Sequence, residues 1–168
     1  MPMLFPKSGT KATGWLFIYA CRHPLVPHVE SVVSSIVARP LSWHWCEQVR
    51  LPATVRVDVR WLHDSSSAGR IASALSTFPG MHAEVVVEPA GGEVGRRFLL
   101  APELGLWSAP MDEAGETLIS EAVLRRAMAA EHDPSSVIER LLGKPWENVL
   151  EPLRLAPLGN SASLLRVV

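Results

Sequence analysis

Gly14-Trp15-Leu16-Phe17-Ile18-Tyr19-Ala20-Cys21 is apolar at every position between its glycine and its cysteine. A strand of that kind belongs in the middle of a sheet with both faces covered. Alternation places Leu16, Ile18 and Ala20 on one face and Trp15, Phe17 and Tyr19 on the other. The rest of the chain therefore has to supply two covers.

The segments after this strand supply one. Pro24 and Pro27 open a helix whose Val29, Val32, Val33, Ile36 and Val37 recur at helical spacing until Pro40 ends it. Leu41 to Gln48 alternates as a half-buried strand, with Trp43 and Trp45 on one face. After a turn at Val49 to Pro52, Thr54 to Leu62 alternates again, with Val55, Val57, Val59 and Trp61 facing one way and Arg56, Asp58 and Arg60 the other. Asp64 and the serines after it offer N-caps for a helix carrying Ala68, Ile71, Ala72, Leu75 and Phe78, which Pro79-Gly80 stops. His82 to Glu88 is a fourth strand. The order β-α-β-β-α-β predicts an α+β chain whose N-terminal half, residues 11–88, is ferredoxin-like. The strand at 54–62 then lies beside the first one, and both helices share one face.

The second cover must come from residues 95–168. Beyond the Gly91-Gly92 break, 95–100 and 104–109 read as a hairpin and Thr117 to Ile119 as a third strand of a β-meander. Helices follow from Ser120 to about Glu131, from Asp133 to Gly143, and from Pro145 to just before Pro152. Pro157-Leu158-Gly159-Asn160 has turn chemistry, and Leu164 to Val168 reads as a docked strand. Residues 1–10, with Pro2, Pro6 and a Ser-Gly pair, read as a flexible tail.

A chain of 168 residues, 48% hydrophobic and 20% charged, is sized for one domain with a real core. Its net charge of −1 speaks against a nucleic-acid or membrane partner held by bulk electrostatics. Cys21 and Cys46 lack the spacing of a redox or zinc pair, and β-strand 54–62 should separate them, so both are expected free. With neither a secretory h-region nor a spanning apolar run, the expected setting is cytoplasmic.

Lys11-Ala12-Thr13-Gly14, Pro27-His28-Val29-Glu30, Ala101-Pro102-Glu103-Leu104-Gly105 and Leu141-Leu142-Gly143-Lys144-Pro145-Trp146-Glu147 occur in that order. Together they resemble a family of small uncharacterised actinobacterial proteins classed as a domain of unknown function. The resemblance runs from about residue 11 onward, and Gly-Lys-Pro-Trp is its most distinctive piece. It implies a bacterial cytosolic setting and one domain, and transfers no activity to any residue.

Three clusters are candidate sites. Trp15, Phe17 and Tyr19 would share a sheet face with Arg56, Asp58 and Arg60, which is how RNA-binding sheets stack bases and hold phosphates. Burial beneath the C-terminal half is the simpler account, so nucleic acid is not favoured. Cys21, Arg22, His23 and His28 gather where the first strand meets the first helix, but Cys-x-His-x4-His matches no zinc pattern. Asp64, Ser66 and Arg70 begin a helix where a phosphate could sit, without Walker spacing. His44, His63, His82 and His132 read as surface or packing residues. The segment Lys144-Pro145-Trp146-Glu147 reads as a turn between helices pinned by a buried Trp. With no paired carboxylates, nucleophile triad, metal cluster or dinucleotide fingerprint, no cofactor is expected. The function expected is a non-catalytic binding or regulatory module that meets a protein or small molecule, with a homodimer also open. The alternatives are an enzyme using loop 21–28 or 64–70, and single-stranded RNA binding.

Overall fold

A computed structural model describes residues 11–130 and 133–161. The tail at 1–10, His132 and the expected strand at 164–168 lie outside them. Strand β1 (Lys11–Arg22) leads through a 3-10 turn at His23–Leu25 into α1 (Val26–Ile36). Then come β2 (Cys46–Gln48), β3 (Thr54–Asp64), α2 (Ser67–Leu75) and β4 (His82–Val87). The second half contains β5 (Gly95–Ala101), β6 (Gly105–Met111), α3 (Glu121–Ala130), α4 (Pro134–Leu141), α5 (Lys144–Arg154) and β7 (Leu158–Ser161). The described strands form one antiparallel sheet in the order β6-β5-β4-β1-β3-β2-β7. The molecule is thus α+β, and β1 is its central strand.

One face of the sheet is closed by α1 and α2. Leu16, Ile18 and Cys21 of β1 join Val55, Val57, Val59 and Trp61 of β3 and Val85 of β4 against Val29, Val33, Ala68, Ile71 and Leu75. Gly14 makes room for this packing: the Trp61 indole and the Val86 carbonyl lie where a side chain on residue 14 would stand. The helix α1 stops before Pro40, because Ala38 takes a left-handed φ of 53°.

The alternation of β1 breaks once. Ile18 pairs with Val57, but the next partner of Val55 is Cys21, and on the β4 side Ala20 follows Ile18 directly. Tyr19 is therefore a bulge residue, unpaired in both ladders. As a result Ala20 joins Tyr19 on the far face, with Leu99, Leu150 and Leu153, and leaves the Leu16–Ile18 face that strict alternation predicts. The buried Gln48 amide donates to the freed Tyr19 carbonyl at 2.7 Å and to Leu153 O at 3.2 Å, tying bulge, β2 and α5 together.

Four element boundaries differ from the sequence reading. Leu41–Trp45 lies outside any strand, and of this stretch only β2, through Cys46 and Glu47, pairs with β3. The expected strand at 117–119 is a single bridge between Met111 and Thr117. Helix α5 runs through Pro152 to Arg154, and beyond the proline the helical bonding resumes, with Leu155 N reaching Glu151 O at 2.9 Å. Residues 158–161 form strand β7 on the open edge of β2 instead of a turn. Asp133 caps α4 by accepting from the amides of Ser135 and Ser136. No helix among the described residues is long and apolar enough to cross a membrane.

Candidate functional site

The face of β1 opposite α1 and α2 carries Trp15, Phe17 and Tyr19 in a stacked row. Ring centroids are 5.8 Å apart for Trp15–Phe17 and 6.2 Å for Phe17–Tyr19, with planes within 13° of parallel. Guanidinium groups close the row at both ends, Arg60 over Trp15 at 5.9 Å and Arg154 over Tyr19 at 5.4 Å. The rings thus turn their faces to one another and to arginine, an arrangement unlike a platform lying open to bases.

Helix α5 covers only part of this face. Leu150 and Leu153 pack over Tyr19, Ala20 and Leu99, while Trp15 and Phe17 remain half-buried. Gly143, at φ 75°, turns the chain from α4 into α5 and lets the backbone rest against the Trp107 ring. Trp146 Nε1 then donates to Gly105 O at 2.9 Å. Trp146 is half-buried rather than enclosed, and it pins the first turn of α5 to β6.

Beside the covered end lies an open pocket of about 530 Å³ lined by Phe17, Tyr19, Arg56, Asp58, Glu84, Arg97 and Arg154. Its centre is Glu84, only 6% exposed. The Tyr19 hydroxyl donates to Glu84 Oε2 at 2.6 Å, Arg154 Nη2 reaches the same oxygen at 3.1 Å, and Arg97 Nε pairs with Oε1. Glu147 on α5 pairs with both arginines, so two carboxylates and two guanidiniums alternate in a closed cycle that the Tyr19 hydroxyl joins at Glu84. Arg154 Nε also donates to the Tyr19 hydroxyl at 3.1 Å. Arg56, 7% exposed, donates from Nη1 to Leu153 O and Ala156 O, each at 3.2 Å, a cation placed where the carbonyls at the end of α5 point.

These contacts fix charge states. Burial and then the Glu84 charge push the Tyr19 hydroxyl well above its ordinary range. Burial works against ionised Glu84, yet the bond and charge of Arg97, with Tyr19 and Arg154, outweigh it and hold the carboxyl below its ordinary value. Arg97 and Arg154 are disfavoured by burial and held charged all the more firmly by Glu84, Tyr19 and Glu147. Asp58 moves the other way. Burial raises it against the pull of Arg56, and no hydrogen bond to it occurs among the described residues.

The two loop candidates do not assemble. Burial pushes Cys21 up to about 11, the reverse of an activated thiol, and its Sγ turns to Arg22 O at 3.4 Å. His23 Nε2 lies 3.3 Å from Glu47, whereas Arg22 and His28 are exposed. At the other loop Asp64 accepts from the hydroxyl and amide of Ser66, which hold it below the ordinary carboxylate range. These bonds close a local turn and leave α2 without a side-chain cap; Arg70 is exposed on that helix. His63, read as isolated, meets Ser67 Oγ at 2.7 Å and Asp64 Oδ2 at 2.8 Å. Both contacts fall on Nδ1 and Ser67 is buried, so no proton can pass from a reachable serine through the ring to the carboxylate. His82 is lowered by burial and meets Gly80 O, and His44 is exposed. Among the described residues no group of three or more His, Cys, Asp or Glu is placed to hold a metal ion.

Sequence reasoning found Phe17, Tyr19, Arg56 and Asp58 and missed Glu84, Arg97, Glu147 and Arg154. The missing signal was a charge on the inward face of a strand, Glu84 between Ala83 and Val85, and a helix stripe where Glu147 and Arg154 flank Leu150.

A family described as "Protein of unknown function (DUF3145)" matches residues 15–167. Neither the curated proteins nor the solved structures include a match.

Proposed function

We propose, for a chain that belongs to the DUF3145 family, a non-catalytic binding module whose contact surface is the pocket beside α5. What carries this reading is the locked set Tyr19, Glu84, Arg97 and Arg154. General acid–base chemistry needs a group that gains and loses its proton near working pH, and each of these is shifted away from neutrality or held charged. The set is suited to presenting a constant pattern of charge. The two members left to meet a visitor are the half-buried Phe17 ring and the Asp58 carboxylate. An aromatic edge beside a carboxylate without a hydrogen bond suits a cationic group on an apolar stem, whether a lysine-like side chain of a protein or a small amine.

The strand order β4-β1-β3-β2, with α1 and α2 on one face, supports reading residues 11–88 as a ferredoxin-like unit extended at both edges. Free Cys21 and Cys46 support a reducing, cytoplasmic setting.

The test is a titration of the isotope-labelled protein with hexylammonium. Perturbed resonances at Phe17 and Asp58, lost in Asp58→Asn, are the expected result. Equal binding by Asp58→Asn, or perturbations confined to other faces, would overturn the reading.

A further inference from the structure

The open half of the aromatic face carries its charges in a fixed order. Phe17 stands across from Asp58 and Trp15 across from Arg60, so each of these rings on β1 has one charged neighbour on β3. Directly opposed residues share a face, and Val86 of β4, across from Trp15 on the other side, completes an apolar floor. Phe17, Trp15 and Val86 are all half-buried. Asp58 and Arg60 are two residues apart on one face of one strand, which places them about 7 Å apart along it. The floor therefore has an anionic end at Asp58 and a cationic end at Arg60.

Arg60 can receive a ligand at that end. Its side chain is 62% exposed, and its guanidinium lies over the Trp15 ring, 5.9 Å from the centroid. Glu88 Oε2 stands 3.9 Å from Nη2, beyond hydrogen-bond length, while Glu88 Oε1 accepts from Trp15 Nε1 at 3.1 Å. The pairing is loose, and a guanidinium presents its N–H donors in a planar fork that suits an incoming carboxylate. Arg97 and Arg154 have no such freedom, since Glu84 and Glu147 hold them both.

We propose, building on the amine surface at Asp58, that the ligand of this face is an ω-amino acid: its ammonium at Asp58, its apolar stem along Phe17 and Trp15, and its carboxylate at Arg60. Charge at both ends fixes the direction in which such a ligand lies. Length is part of the recognition as well. An extended stem of about five methylenes covers a distance like that between the two charged residues. A much shorter ω-amino acid reaches only one of them at a time, and an alkylamine of the same length leaves Arg60 unused.

The experiment titrates the isotope-labelled protein with ε-aminocaproate, hexylammonium and β-alanine, read by nuclear magnetic resonance. ε-Aminocaproate should bind at least fivefold more tightly than hexylammonium, and should move the Arg60 side-chain and Trp15 indole resonances together with those of Phe17. Arg60→Gln should bring the two Kd values within twofold of each other, with hexylammonium binding and the melting temperature unchanged. β-Alanine should bind at least tenfold more weakly than ε-aminocaproate. Equal Kd values for ε-aminocaproate and hexylammonium in the wild type overturn the proposal, as does an advantage that survives Arg60→Gln or an equal Kd for β-alanine; in each of these cases hexylammonium still binds and the Asp58 surface stands. Absence of binding by hexylammonium and ε-aminocaproate alike overturns both.

Discussion

Trp15 and Tyr19 stand on the same face of the same strand, yet one is half-buried and the other is 2% exposed. What separates them is the reach of α5, which lays Leu150 and Leu153 over Tyr19, Ala20 and Leu99 and stops short of Trp15. At the covered end the charges around Glu84 are each ion-paired; toward the open end Asp58 makes no hydrogen bond among the described residues and Arg60 is loosely held. Desolvation explains the contrast. Under the helix an unpaired charge is costly, so every charge has found a partner. Where water still reaches, a charge can stand alone and remain available to a ligand.

Three measurements bear on this division, beginning with the largest effect. Glu84→Ala leaves Arg97 and Arg154 without their shared carboxylate, and chemical denaturation should show a loss of about 3–5 kcal/mol. A loss below about 1 kcal/mol would mean that water already screens the covered end and that the two ends do not differ.

The second is pH dependence on the alkaline side. Cys21 is raised from 9.0 to about 11 by burial, so the folded state holds its proton more tightly than the unfolded chain. The stability from this thiol is complete below pH 9.0 and lost as pH rises through about 11, a decline of order 2–3 kcal/mol. Tyr19 is shifted in the same direction from 10.0 and should add to the decline at the upper end. Denaturation midpoints between pH 8 and 11 should fall more steeply in the wild type than in Cys21→Ala. Parallel slopes would show that Cys21 is solvated.

The smallest effect belongs to the open end. Trp15→Ala removes a ring that is only half-buried, with a bond from Nε1 to Glu88 at 3.1 Å, and should cost about 1–2 kcal/mol. A buried aromatic would cost about 3–5 kcal/mol. A value in that upper range would mean that further chain covers Trp15 and that the open end is not open.

The apolar run at 15–20 identified the central strand, and the valine stripes at 29–37 and 55–59 identified its first cover, because burial on one face leaves a period in the sequence. The second cover was legible only as a requirement. Its contact residues mix Leu150 and Leu153 with Glu147 and Arg154, and a stripe containing charges looks like a solvated face until Glu84 is placed opposite it. The bulge at Tyr19 was hidden for a similar reason: Tyr19 and Ala20 are both apolar, so a slip of one residue changes nothing in the pattern. Strand β7 escaped because Leu158-Gly159-Asn160 has turn chemistry; Gly159 is there because the Glu47 backbone approaches too closely for a side chain. The charged pocket depended on long-range meetings such as Arg154 with Glu84, which leave no local trace.

The late arrival of α5 has a consequence for synthesis of the chain. Strands β1 to β4, and the helices on the first face of β1, are encoded by residue 87, but the helix that shelters Tyr19 is complete only at Arg154. At about 5–20 residues per second, the nascent sheet waits roughly 3–13 seconds with its aromatic row uncovered and Glu84 still without Arg154. Synonymous changes that slow translation between residues 88 and 154 should lengthen that interval, and lower the soluble yield without altering a single residue of the product.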